Sequence, residues 1–424
     1  MKLQSGKIKK IHAREILDSR GVPTIEATVE FASGYIGVSS VPSGTDESEY
    51  AVHALRDTTK KRYAGAGVHK AVENVNHTIS KKLTGKRFAN SSSFDTALSS
   101  IDKTKQKKKI GANALLAVSV AGARAFAASH YVPLYEYLVN AHKLEKTKKM
   151  PTPIMNVMNG GRHSDTNLDI EELTIIPVKK SLFHEQLRMC TEIFNKLGKI
   201  LKQHGLDTDT GDKGGYAPDI HATAEAIRMT TIAIRESRFT PKREVGIGID
   251  VGAQMLYDIR MKQYRFRLDA TFYSPSQLIA LYDMWEDAYP LAYLEDGLSN
   301  NDWKNWPVLT SHLGKDVDIA ADELYGGQVT RLSKGVKGKA TNTVVLKPND
   351  NATLSDAIDF VVKSKKAKMK LCISHRTGET NDDWIADFAV AVQADYAKFG
   401  APNRGERISK YNRLMFIEDE IISK

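Results

Sequence analysis

Seven side chains in the second half of the chain follow or end short apolar runs. Asp250 ends V-G-I-G-I-D, Glu295 ends L-A-Y-L-E, and Asp322 follows D-I-A-A. Lys347 follows T-V-V-L, His375 and Arg376 follow K-L-C-I-S, and Lys398 comes after Tyr396 and Ala397. Three carboxylates with no thiolate among them suit a hard, oxygen-preferring cation, with Mg²⁺ the first candidate. A lysine facing such a cation suggests proton abstraction beside a metal-bound carboxylate, which is the chemistry of an enolate intermediate. Any one strand-end carboxylate taken alone is more often a cap or a solvated loop residue. The series in strand order carries the reading.

The elements that must position these groups follow from their spacing. The intervals are roughly 25 to 45 residues, enough for a strand, a helix and two loops. Continuous apolar runs read as buried parallel strands. A barrel of parallel strands places its chemistry at the strands' C-terminal ends, so all seven groups are expected at one mouth. Upstream, residues 8–41 read as a strand meander with turn chemistry at Leu17-Asp18-Ser19-Arg20-Gly21 and alternation in T-I-E-A-T-V-E-F. Helical patterns are expected over about 68–83 and over 112–129, where Ala114, Val118, Ala121 and Ala125 share a face. The expected organisation is an N-terminal α+β domain over residues 1–142, a linker at 143–150 and an α/β barrel over 151–424. In the second part, Asn159-Gly160-Gly161-Arg162-His163 reads as a glycine turn carrying a histidine, and Glu171 to Ile176 begins a strand. Residues 183–204 read as an amphipathic helix, and Gly211 to Pro218 as a loop holding Lys213 between glycines. A glycine-rich loop alone is a weak phosphate signal.

The composition fits a soluble globular protein of more than one domain. No run approaches the length of a membrane span, and residues 1–20 lack the apolar core of a signal peptide. Cys190 and Cys372 are far apart and make no metal spacing, so both are expected in the core of an intracellular protein. The net charge of +10 is concentrated in part in lysine-rich stretches at 103–109 and 143–149. No aromatic residues interleave those lysines, so a solvated surface is expected and nucleic-acid binding is not.

The motifs together resemble the enolase family, the phosphopyruvate hydratases of glycolysis. They are L-D-S-R-G-V-P-T at 17–24, V-P-S-G at 41–44, I-G-A-N-A-L-L-A-V-S at 110–119, M-N-G-G-R-H at 158–163, G-D-K-G-G-Y-A-P at 211–218, Y-L-E-D at 293–296, S-H-R-T-G-E-T at 374–380 and K-Y-N-R-L at 410–414. The resemblance spans nearly the whole chain. It implies an N-terminal α+β domain on an eight-stranded barrel that opens β-β-α-α. It implies Asp250, Glu295 and Asp322 as Mg²⁺ ligands and Lys347 as the base. Arg376 matches the phosphate-binding arginine, and Lys398 the lysine that holds the substrate carboxylate. His163, Glu172 and His375 match polar residues around the leaving hydroxyl and phosphate. The implied partners are a small phosphorylated carboxylate and further copies of the chain. The implied setting is cytoplasmic, with cell-surface association as a secondary role.

The departures from the family pattern are specific. Lys213 stands where the family has the glutamate that helps protonate the departing hydroxyl. Glu171 replaces a glutamine in the substrate site. Asp46 replaces the serine that holds a second metal, and Thr377 replaces the serine after the phosphate arginine. Phe416 replaces an arginine that pairs across the subunit interface with the position of Glu26, so a weaker dimer is expected, with Glu26 lacking its usual partner. A Glu171–Lys213 ion pair is expected to compensate for the two exchanged charges. Three functions stay open at this point: a lyase with impaired turnover, a related proton-transfer reaction of the epimerase type, and a paralogue kept for binding.

Overall fold

The computed structural model describes residues 6–44, 49–146 and 149–423. Asp46 and part of the expected linker, Thr147 and Lys148, lie outside the described residues.

The N-terminal part is a sheet covered by helices. Strands β1 (Gly6–Leu17), β2 (Pro23–Phe31), β3 (Ile36–Ser40) and β4 (Arg87–Phe88) pair antiparallel in the order β3-β2-β1-β4. Ile25, Ala27, Val29 and Phe31 alternate along β2 and are buried, as a half-covered strand requires. The helix Ala112–Ser129 lies on that face. Its approach depends on Gly37, where a Cβ would sit 2.0 Å from the Ala121 carbonyl oxygen. This helix corrects one expectation: over 18 residues its mean hydropathy is 1.3, the length and composition of a membrane span. Nearly all of it is buried inside the domain, because alanine at its contact positions allows close packing on the sheet. The helical stretch expected over 68–83 is present, with its middle turn, Asn74–Ile79, wound as a π-helix.

The rest of the described chain forms a closed barrel. Its strands are β5 (Thr152–Asn159), β6 (Glu172–Pro177) and β7 (Val245–Asp250), then, past a small separate sheet of β8 (Tyr257–Asp258), β9 (Gln263–Phe266) and β10 (Thr271–Tyr273), β11 (Leu291–Glu295), β12 (Asp318–Ala321), β13 (Thr343–Leu346), β14 (Lys370–Ser374) and β15 (Tyr396–Gly400). Strand β6 is antiparallel to both its neighbours, and the other pairings are parallel. Two helices in succession, Phe183–Gln203 and Thr223–Glu236, follow β6. The barrel therefore opens β-β-α-α. The three-stranded sheet was not expected, because strands of two to four residues leave no periodic signal.

Inside the barrel Ile154, Ile176, Tyr293, Ala320, Val345 and Cys372 form a small apolar cluster, the filled interior typical of such barrels. Both Cys372 and Cys190 are buried free thiols. Glu26 is not left without a counter-charge: Arg14 Nε, opposite it in the β1–β2 ladder, donates to its carboxylate at 2.7 Å. Phe416 is 55% exposed, and the Arg413 guanidinium stands 5.2 Å above its ring.

Candidate active site

Strand direction decides which groups meet. Asp250 and Glu295 end β7 and β11, and they pair in the ladder. Asp322 and Lys347 follow β12 and β13 directly, His375 and Arg376 follow β14, and Lys398 lies within β15. Because β6 runs the other way, its first residue, Glu172, pairs with Asp250 and comes to the same mouth. His163 arrives on a 3₁₀ turn after β5. Lys213 arrives on the loop between the two successive helices. That loop is tied down: the Asp212 N–H donates to the His163 carbonyl at 2.8 Å, and the Lys213 carbonyl accepts from the Ala401 N–H at 3.0 Å.

These groups surround a cavity of about 280 Å³. His163, Glu171, Lys213, Asp250, Asp322, Lys347, His375, Arg376 and Thr377 are among the residues that line it. Glu172, Glu295 and Lys398 lie behind that wall, each buried. Lys398 Nζ is 2.7 Å from Asp250, 2.9 Å from Glu295 and 3.4 Å from Glu172. Burial disfavours its charge, but these three carboxylates outweigh it and hold the ammonium well above the usual lysine range.

The expected Glu171–Lys213 pair does not form. Lys213 Nζ is bonded to Glu172 instead, while Glu171 accepts from His163 Nε2 at 3.2 Å and faces Arg162 at 3.4 Å. The reason is the period-two alternation of side chains at the start of a strand, which sends consecutive residues to opposite sides. Burial works to raise the Glu172 carboxyl, yet Lys213 and Lys398 bring it down to about 2. His163 lies below the usual imidazole range through burial and the nearby Lys213. Its other nitrogen, Nδ1, is buried without a hydrogen-bond partner among the described residues.

Further acidic groups crowd the same mouth. Carboxylate oxygens of Asp250, Glu295 and Asp296 all lie within 4.8 Å of one another, and all three residues are buried. Burial first, then Asp250, pushes Glu295 up to about 8. Burial and the neighbouring Asp322 raise Asp296 well above the usual carboxylate range. Lys398 offsets only part of this negative charge, and three hard oxygen donors fit a divalent metal ion. Asp322, expected among the ligands, lines the same cavity with its carboxylate on Lys347 Nζ. Lys347 is pushed down by burial, but Asp322 and Asp350 outweigh this and leave it above the usual range.

Four residues at the site escaped the sequence reading. Asp296 stands next to Glu295 and turns inward through a left-handed backbone, φ 45°. It accepts from the N–H groups of Asp322 and Glu323 at 3.1 and 3.3 Å. The fourth letter of Y-L-E-D was its only signal. Glu323 lines the cavity, pushed up to about 7 by burial and by Glu171. Asp350, on a 3₁₀ turn after β13, is buried 3.6 Å from Arg376. Arg407, in the first turn of the last helix, touches His375. Neither of these last two sits at a strand end, so spacing gave no hint of them.

The N-terminal part closes the mouth. The Ser43 and Gly44 N–H groups donate to the Gly378 and Thr377 carbonyls at 2.9 and 3.1 Å, and Arg20 lies 3.5 Å from Asp212. Comparison with known families gives two matches. Residues 8–138 match the family described as "Enolase, N-terminal domain". Residues 147–424 match "Enolase, C-terminal TIM barrel domain". The two matches run through both halves of the fold and meet at the acidic, lysine-lined mouth between them: the chain belongs to the enolase family.

Proposed function

We propose that this protein is a Mg²⁺-dependent lyase that removes water from 2-phosphoglycerate to give phosphoenolpyruvate, with the second half of the reaction impaired. The observation that carries this reading is the placement of Lys347 and the acidic trio around one cavity, with Arg376 beside them. Lys347 takes the proton from the carbon beside the substrate carboxylate. The electron pair of the broken C–H bond passes into the enolate. The C–O bond at the neighbouring carbon then breaks, and the oxygen leaves as water after gaining a proton. Arg376 and Thr377 hold the phosphate, and Lys398, behind the cavity wall, lends fixed positive charge toward the carboxylate. His163, Glu171, Glu172 and His375 surround the departing oxygen, and Lys213 stands where its proton must come from. A bound Mg²⁺ would supply the charge that offsets the carboxylate and its enolate.

The test is an assay for phosphoenolpyruvate formation with protein free of host enolase, alongside deuterium exchange into 2-phosphoglycerate. Absence of both activities would leave a binding role as the better reading. The same proposal includes a homo-oligomer, a dimer or higher, and a cytoplasmic setting.

Mg²⁺ binding rests on Asp250 and Glu295, with Asp296 or Asp322 as the third carboxylate and, by the resemblance, Asp46 toward a second ion. Asp250→Ala is expected to weaken Mg²⁺ binding in titration calorimetry by more than about tenfold. Asp296→Asn and Asp322→Asn then show which residue completes the set. Equal binding by wild type and Asp250→Ala removes the assignment.

Asp350 tempers the phosphate site. Its buried carboxylate, 3.6 Å from Arg376, repels the anion that Arg376 attracts. Asp350→Asn is expected to lower KM for the phosphorylated substrate by about tenfold, or roughly 1.4 kcal/mol. An unchanged or raised KM means that Asp350 instead orients Arg376 for binding.

A further inference from the structure

Arg407 is wholly buried at the start of the helix Gly405–Ile422. One terminal nitrogen lies 2.6 Å from His375 Nδ1 and 2.9 Å from the Arg376 carbonyl oxygen. The other donates to the Asp212 carbonyl, beside Lys213, at 3.1 Å. A guanidinium has donors only. Nδ1 of His375 must therefore accept, and the proton of the neutral ring must sit on Nε2. That Nε2 is buried, it has no hydrogen-bond partner among the described residues, and His375 lines the cavity. Gly400 keeps the contact open: a Cβ there would lie 2.8 Å from Arg407 Cδ and 3.1 Å from His375 Cε1.

We infer that Arg407 is a positioning residue that fixes His375 as the neutral Nε2–H tautomer, so that the cavity presents a permanent hydrogen-bond donor to an oxygen of its ligand. His375 then neither takes nor gives a proton during turnover. The groups facing the ring agree: burial, Arg407, Lys213, Lys398 and Lys410 together hold it well below the usual imidazole range. The inference goes beyond the proposed reaction and does not depend on it, because any oxyanion in the cavity meets the same donor.

The experiment is two-bond ¹H–¹⁵N correlation NMR of the full-length protein with labelled histidine, His375 being assigned by its loss in His375→Asn. The expected wild-type pattern is one bare Nδ1 and one protonated Nε2, unchanged between about pH 5 and 8. Addition of inorganic phosphate, and separately of 2-phosphoglycerate, is expected to shift the Nε2 resonance. In Arg407→Met the ring is expected to become a tautomer mixture or to titrate, and Arg407→Lys is expected to restore part of the wild-type pattern. A wild-type ring protonated at Nδ1, or an imidazolium in this range, overturns the inference even if the variants do not fold. So does an Nε2 resonance that neither anion moves.

Discussion

Lys347→Ala is expected to abolish deuterium exchange beside the substrate carboxylate and to lower kcat by about 10³-fold, within the usual range for loss of a general base. Among the described residues three lysines, Lys213, Lys347 and Lys398, reach the mouth, and their access to a ligand separates them. The Lys347 side chain is 27% exposed, whereas those of Lys213 and Lys398 are 6% and 2% exposed. Lys398 is also committed to three carboxylates, so it serves as fixed charge. Lys347 has to lose its own proton, which the pairing with Asp322 helps it keep, before the neutral amine can accept one from the substrate. KM should change little, because the groups proposed to hold phosphate and carboxylate remain. The substitution leaves Asp322 without its lysine, so Lys347→Met and a thermal melt control for a local collapse. Exchange at the wild-type rate in both variants would assign the base to another residue.

The barrel and the strand-end residues were legible because buried parallel strands announce themselves as apolar runs and their ends must share a face. Asp250, Glu295, Lys347, Arg376 and Lys398 all came from that one rule. What was not legible depends on backbone detail. Glu171 and Glu172 are adjacent, and only the register of β6 decides which meets Lys213. Asp296 is brought in by a single left-handed residue. Asp350 and Arg407 reach the site from a 3₁₀ turn and a helix start, and each is placed by packing between distant segments. The helix Ala112–Ser129 shows the converse: its periodicity fixed its ends, while its composition alone would also suit a membrane.

Lys213→Glu is expected to raise phosphoenolpyruvate formation by about 10²-fold, the contribution of a general acid at the lower end of its usual range. In the wild type Lys213 is buried and bonded to Glu172. Glu172 is occupied on its other oxygen as well, by Asn156 Nδ2 at 2.7 Å. In the proposed reaction, proton abstraction by Lys347 does not involve this pair, so exchange into 2-phosphoglycerate is expected to outrun dehydration in the wild-type protein. Replacing Lys213 with glutamate puts two carboxyl groups where an ion pair stood. Two acids in one buried site cannot both ionise cheaply, so the pair keeps a proton well above the ordinary carboxylate range. That proton is available to the departing oxygen near neutral pH. The ratio of exchange to dehydration should fall toward one, while the exchange rate itself stays near the wild-type value. Lys213→Ala separates the two parts of the argument: it removes the ion pair without supplying an acid, and is expected to leave dehydration slow. Fast dehydration by the wild type, unchanged in Lys213→Ala, would show that protonation of the leaving oxygen does not run through this position.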